Sequence, residues 1–148
     1  MQTSRLASSD SQKLEDFLCL VNSEKYRVLA QIFIKRMFTS GEFRPPTFIV
    51  LKNGDDIIGT ASYSEEMFTV GTWGISWVSV HPDWRKQGLG QKLVEDCLKG
   101  IAEAAAPKPV TALLASYPTA TGLYERAGFI KAGEDHEGGW YMIRHLNT

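Results

Sequence analysis

The stretch that most restricts how this chain can fold runs from Trp73 to Ile101. It reads as a strand pattern, a stop at His81-Pro82, a short loop Arg85-Lys86-Gln87-Gly88-Leu89-Gly90, and an amphipathic helix that begins at once. Trp73, Ile75 and Trp77 alternate with Gly74, Ser76 and Val78, the period of two of a strand with unequal faces. From Gly90 onward Leu93, Val94, Cys97, Leu98 and Ile101 recur at helical spacing, with Lys92, Glu95, Asp96 and Lys99 on the remaining face. A strand that feeds a helix through a glycine pair belongs to a layered fold, because each element must bury its apolar face against the other.

The flanking segments supply the rest of the layers. A short strand over residues 2 to 7 precedes Ser8-Ser9-Asp10, side chains suited to capping a helix whose apolar face is Leu14, Phe17, Leu18 and Val21. A second helix is predicted from near Glu24 to Met37, burying Val28, Leu29, Ile32, Phe33 and Met37. Gly41 and Pro45-Pro46 end helical structure. Thr47 to Leu51 and Ile57 to Tyr63, joined through Asn53-Gly54, then read as a hairpin. Val110 to Ala115 is a further strand, Ala120 to Ala127 a short helix closed by Gly128, and Phe129 to Gly133 and Trp140 to Leu146 are the last strands. The order β-α-α-β-β-β-α-β-α-β-β predicts an α/β (α+β) fold on a central mixed sheet.

Bulk properties narrow the partners. The 148 residues suit one domain over 1–148, with 43% apolar and 22% charged residues in the ordinary globular range. A net charge of −1 argues against a nucleic-acid-coating role. The start Met1-Gln2-Thr3-Ser4-Arg5 is followed by no apolar run, and no stretch approaches the roughly eighteen apolar residues of a membrane span. A soluble, cytoplasmic protein that binds neither nucleic acid nor membrane is expected. Cys19 and Cys97 sit among apolar neighbours and read as small core residues. His81 and His136 lack metal-ligand spacing to other His or Cys, so no metal site is expected.

The loop itself has the makings of an anion site. The first N–H groups of a helix have no intrahelical partner, the helix dipole is positive there, and glycines allow close approach of a phosphate; Arg85 and Lys86 add charge at the rim. A P-loop is excluded because Gly90 is followed by Gln91-Lys92-Leu93, without the hydroxyl that holds magnesium. A dinucleotide fingerprint fails too: Leu93 stands where a third glycine is needed, and Val110-Thr111 where the acidic residue is needed. Taken alone, Gly88 and Gly90 are equally compatible with a plain strand-to-helix turn.

Arg85, Gly88 and Gly90 fit the [Arg or Gln]-x-x-Gly-x-[Gly or Ala] motif of the GCN5-related N-acetyltransferase (GNAT) family, which the chain resembles over nearly its whole element order. Ala120, Leu123, Tyr124, Glu125, Arg126, Gly128 and Phe129 match a second family motif, Asn-x-x-Ala-x-x-Leu-Tyr-Glu-(Lys or Arg)-x-Gly-Phe, with Tyr117 in place of the asparagine that contacts the coenzyme. The resemblance implies a mostly antiparallel sheet, flanked by about four helices and splayed between the strands at 73–80 and 110–115. Acetyl-CoA would enter that gap, with Val78, Ser79 and Val80 pairing the pantetheine arm and the amides of Arg85, Lys86, Gln87, Gly88, Leu89, Gly90 and Gln91 holding the pyrophosphate. A homodimer is in keeping with the family.

The activity so implied is acetyl transfer to a primary amine by direct attack on the thioester, with a non-catalytic acyl-CoA-binding regulatory domain as the alternative. Tyr124 is then the general acid: a phenol of pKa about 10 is protonated at neutral pH and can supply the proton a departing thiolate needs. Its plain alternative is an aromatic core residue. A backbone N–H near Val78 is the expected oxyanion donor. Glu65 and Glu66 are candidate bases, or simply solvated turn residues. Trp84, alone of Trp73, Trp77 and Trp84, is expected beside the cleft; Tyr26 and the loop Phe43 to Pro46 fall where the family often binds acceptor, and Glu134-Asp135-His136-Glu137 forms an acidic turn.

Overall fold

In the computed structural model, which describes residues 1–148, two layers of helix cover opposite faces of one seven-stranded sheet. The elements are β1 (Ser4–Arg5), α1 (Ser11–Val21), α2 (Arg27–Phe38), β2 (Thr47–Asn53), β3 (Asp56–Glu65), β4 (Thr72–Val80), α3 (Leu89–Ala105), β5 (Val110–Ser116), α4 (Thr121–Arg126), β6 (Ile130–Glu134) and β7 (Trp140–Leu146). Spatial order is β1-β2-β3-β4-β5-β7-β6, and every neighbouring pair is antiparallel except β4 and β5. The expected mixed, mostly antiparallel sheet with four helices is the one observed. No helix is long and apolar enough to cross a membrane.

Alternation along β2 divides the core in two. Ile49 and Leu51 face α3, whose Leu93, Val94, Cys97, Leu98 and Ile101 are all buried there, while Phe48 and Val50 face Leu14, Leu18, Ala30 and Ile34 of α1 and α2. Each such side chain contributes about 1.5–3 kcal/mol when fully buried, so the predicted seam of α3 fixes the helix on the sheet.

Four local expectations are corrected. Ser8–Asp10 form a 3-10 turn without capping α1, because the Asp10 carboxylate is drawn to Lys52 Nζ at 2.5 Å. The β2–β3 turn centres on Gly54-Asp55, one residue later than expected, with Gly54 at φ +61°. Helix α2 buries Ala30, Ile34 and Met37 and leaves Val28, Leu29 and Ile32 exposed. Its sequence is apolar on nearly all sides, so packing on the sheet decides the face. Finally, the pairing of β3 with β4 slips between Thr60 and Ser62, and Trp77 takes φ +58°. This bulge breaks the alternation of β4: Trp73 packs with the α3-side core, whereas Trp77 packs with the α1–α2 side.

Candidate active site

The two parallel strands at the centre of the sheet stay together only briefly. Thr72 to Gly74 of β4 pair with Thr111 to Leu113 of β5, and beyond that the strands part. Residues 75–80 on one side and 114–117 on the other line a cavity of about 1070 Å³, which also reaches the loop before α3 and the exposed faces of α4. The opening passes through the sheet: Val78, Val80, Leu123 and Tyr124 belong to the α3 side, and Val21, Phe33 and Trp77 to the α1–α2 side.

At the α3 end the backbone is arranged for an anion. Gly88 caps α3 at φ +78°, a region side chains rarely adopt, and no side chain satisfies the first amides of the helix. No acidic residue occupies the first turn, so the positive end of the dipole is left uncompensated. Arg85, Lys86, Gly88, Leu89, Gly90 and Gln91 all line the cavity; Gln87 does not. A Cβ built on Gly88 would meet nothing within 4 Å, whereas one on Gly90 would stand 2.8 Å from Leu123 Cδ1. The two glycines therefore do different work. Gly88 supplies the left-handed turn and open space, and Gly90 lets α3 approach α4.

That approach ties the loop to Tyr124, which lines the cavity on α4. The short helix ends as its sequence demands: Gly128 at φ +88° donates to Glu125 O, and Phe129 N donates to Tyr124 O, both at 3.0 Å. Phe129 is thereby brought edge-on to the Tyr124 ring at 6.2 Å. Arg144 on β7, which sequence reasoning passed over, donates from Nη1 to Ala127 O at 2.5 Å and steadies the end of α4. Burial pushes the Tyr124 phenol above its ordinary pKa, and Tyr117 adds to the shift. The group is a protonated donor at neutral pH.

The remaining candidates divide. Val78, Ser79 and Val80 line the cavity, but the Val80 carbonyl already accepts from Arg85 Nε at 3.1 Å. Tyr117 also lines it and is largely exposed. Glu65 and Glu66 are not on the cavity wall; they sit toward the closed end of the β4–β5 gap, where Glu65 pairs with Arg44 Nε at 3.4 Å and Glu66 O accepts from Arg44 Nη1. Trp84 is at the cavity as expected, and the bulge brings Trp77 there as well. Tyr26 lines the α1–α2 end, the Phe43 to Pro46 loop does not, and of the acidic turn only Asp135 reaches the wall. Asn22 is a wall residue with no sequence signal: its Nδ2 donates to Ser79 Oγ at 3.2 Å and to Leu18 O at 3.1 Å.

Comparison with known proteins points the same way. A family profile described as an acetyltransferase (GNAT) domain matches residues 44–131. No curated protein sequence matches the chain. Among solved structures, a GNAT-family protein from Desulfovibrio desulfuricans superposes with a TM-score of 0.74 at 20% identity, over 98% of this chain and 97% of the other. The aminoglycoside 6'-N-acetyltransferase of Enterococcus faecium gives 0.77 at 15% identity over 98% and 97%. YhbS, a GNAT family N-acetyltransferase of Escherichia coli in complex with CoA, gives 0.75 at 17% identity over 98% and 81%.

Proposed function

This chain belongs to the GNAT acetyltransferase family, and on that footing we propose that it moves the acetyl group of acetyl-CoA to a primary amine, which attacks the thioester directly. The observation that carries the proposal is the cavity that joins an uncapped helix start to the half-buried Tyr124 through a gap in the sheet. The residues present suit the coenzyme. The free amides from Gly88 to Gln91 would hold the pyrophosphate, with Arg85, Lys86 and Arg126 as counter-charges on the same wall. The unpaired edge of β4 beyond Gly74 would align the pantetheine arm as another strand does, with Val78 and Ser79 as its partners.

Acetyl-CoA supplies an acyl group already activated as a thioester. Val78, on the cavity wall beside the bulge, is the backbone candidate for an N–H donor to the carbonyl oxygen. Tyr124 would hand its proton to the leaving sulfur as the C–S bond breaks and the N–C bond forms, and the surplus proton shed by the acetylated nitrogen, passed through solvent, would restore the phenol. Its raised pKa keeps that proton available across the physiological range. The position of Glu65 and Glu66 away from the cavity gives no support to either as the base.

The test is release of free CoA from acetyl-CoA in the presence of amines, for the wild type and Tyr124→Phe. Loss of a general acid is expected to lower kcat by about 10²–10⁴ while CoA affinity is unchanged. Equal turnover by the variant would remove Tyr124 from the mechanism, and absence of any turnover beside intact CoA binding would favour an acyl-CoA-binding module.

A further inference from the structure

The cavity has two chemically unlike ends. Its α3 end carries the cations Arg85, Lys86 and Arg126 and the uncapped helix start. Its α1–α2 end is walled by Tyr26, Leu29, Phe33 and Trp77. Trp77, turned to this side by the β4 bulge, stands edge-on to Phe33 at 6.0 Å and to Tyr26 at 6.3 Å, so the three rings form one continuous aromatic wall.

No acidic side chain belongs to this aromatic wall. Lys25 Nζ lies 5.0 Å over the Tyr26 ring and the Arg36 guanidinium 5.8 Å over the Phe33 ring, so the charges next to it are positive. The nearby carboxylates Glu15, Asp16 and Glu24 turn to Arg27, which offsets one of their three charges, and Glu42 pairs with Arg36; none of the four is on the cavity wall. The one acidic side chain on the cavity wall, Asp135, belongs to the β6–β7 turn and not to the aromatic end; its Oδ1 accepts from Glu137 N at 2.8 Å and Gly139 N at 2.7 Å. Asn22, Ser76, Ser79, Tyr117 and Tyr124 are among the other polar residues of the cavity wall, and none is a carboxylate or imidazole.

Resting on the acetyltransferase reading above, we infer that the acceptor is a weakly basic amine carried on an aromatic body. The aromatic wall buries the ring. The chemistry of the amine follows from the missing base: only an unprotonated nitrogen attacks, and nothing at this end takes a proton from an ammonium. An α-amine of pKa about 7.7–8.0 is roughly one-quarter neutral near pH 7.4, whereas an alkylamine of pKa about 10.4 is about 0.1% neutral, a difference of a few hundredfold. Aminoglycoside acetyltransferases share this fold, but a shared fold does not carry a substrate with it, and this wall is unsuited to theirs.

The test compares four acceptors with acetyl-CoA after CoA affinity has been measured by calorimetry. Phenylalaninamide combines ring and weak base, glycinamide keeps only the weak base, phenethylamine keeps the ring on a strong base, and spermidine is the polycation. The expected kcat/KM near pH 7.4 is highest for phenylalaninamide, at least about tenfold above glycinamide from burial of the ring. The excess over phenethylamine is expected to be about a hundredfold and to shrink about tenfold in all between pH 7.4 and pH 9. Leu29→Glu, at an exposed wall residue whose replacement should not disturb the core, is expected to raise KM for phenylalaninamide and lower it for spermidine. Preference for spermidine or glycinamide, no discrimination, no turnover of any of the four, or unchanged KM values in Leu29→Glu would overturn this inference while CoA binding leaves the coenzyme reading intact. Failure to bind CoA would overturn both.

Discussion

Replacing Gly88 separates what the loop needs for folding from what it needs for its ligand. The residue sits at φ +78°, and a Cβ there would touch nothing within 4 Å, so neighbouring atoms offer no resistance and backbone strain is the whole folding cost. For Gly88→Ala that strain is about 1–2 kcal/mol, and a chain of this size loses about 2–4 °C in Tm for each kcal/mol. Gly88→Asn adopts the left-handed region more readily and should melt within about a degree of the wild type. Both variants put atoms into the open space before the first amides of α3. If a phosphate occupies that space, each displaced charge-assisted hydrogen bond costs about 1.5–3 kcal/mol, which weakens CoA by about 10- to 150-fold. Thermal unfolding gives the first quantity and calorimetric titration with CoA the second. A Gly88→Asn variant with wild-type Tm and wild-type CoA affinity would refute the cradle.

Three further outcomes follow from particular contacts. Gly90→Val adds branches where even a Cβ stands 2.8 Å from Leu123 Cδ1, so it should push α4 away and lower turnover with Tyr124 still present; Gly90→Ala needs only a shift of the Leu123 side chain and should keep most activity. Both cysteines are buried and their thiols are raised in pKa by that burial, so a thiol reagent should modify neither in the native state and both in denaturant. Hydrogen bonds from Lys52 to Asp10, and from Arg27 to Asp16 and Glu24, hold these carboxyls below their ordinary range. A depressed folded pKa gives stability that is complete above the unfolded value and is lost as pH falls, so Tm should decline below about pH 4, and more shallowly in Arg27→Gln.

The parts of this molecule that could be read in the sequence are those where one local signal had one solution. The seam Leu93, Val94, Cys97, Leu98 and Ile101 allowed a single helical face, and all five are buried. Helix α2 offered two faces, Val28-Leu29-Ile32-Phe33 and Ala30-Ile34-Met37, and the fully buried Ala30 is small and gives a weak hydrophobic signal. The Trp77 bulge was hidden because tryptophan rarely takes positive φ, so strict alternation was the natural reading, and it put the ring on the wrong face of the sheet. Arg85 to Gln91, Gln87 excepted, and Tyr124 meet at one cavity because their motifs lie in loop and helix next to the gap. Glu65 and Glu66 could not be judged from sequence, since their position depends on Arg44, a residue far off along the chain that anchors both. Asn22 and the aromatic wall emerge only from the folding of α1 and α2 over β4.

The most direct test of the account is to follow the backbone amides of this 16.5 kDa chain by NMR as CoA is added. The predicted result is a contiguous set of shifts over residues 75–80 and 85–91 together with Tyr117 and Tyr124, while Glu65 and Glu66 stay in place. Shifts confined to other surfaces, or none at saturating CoA, would contradict it.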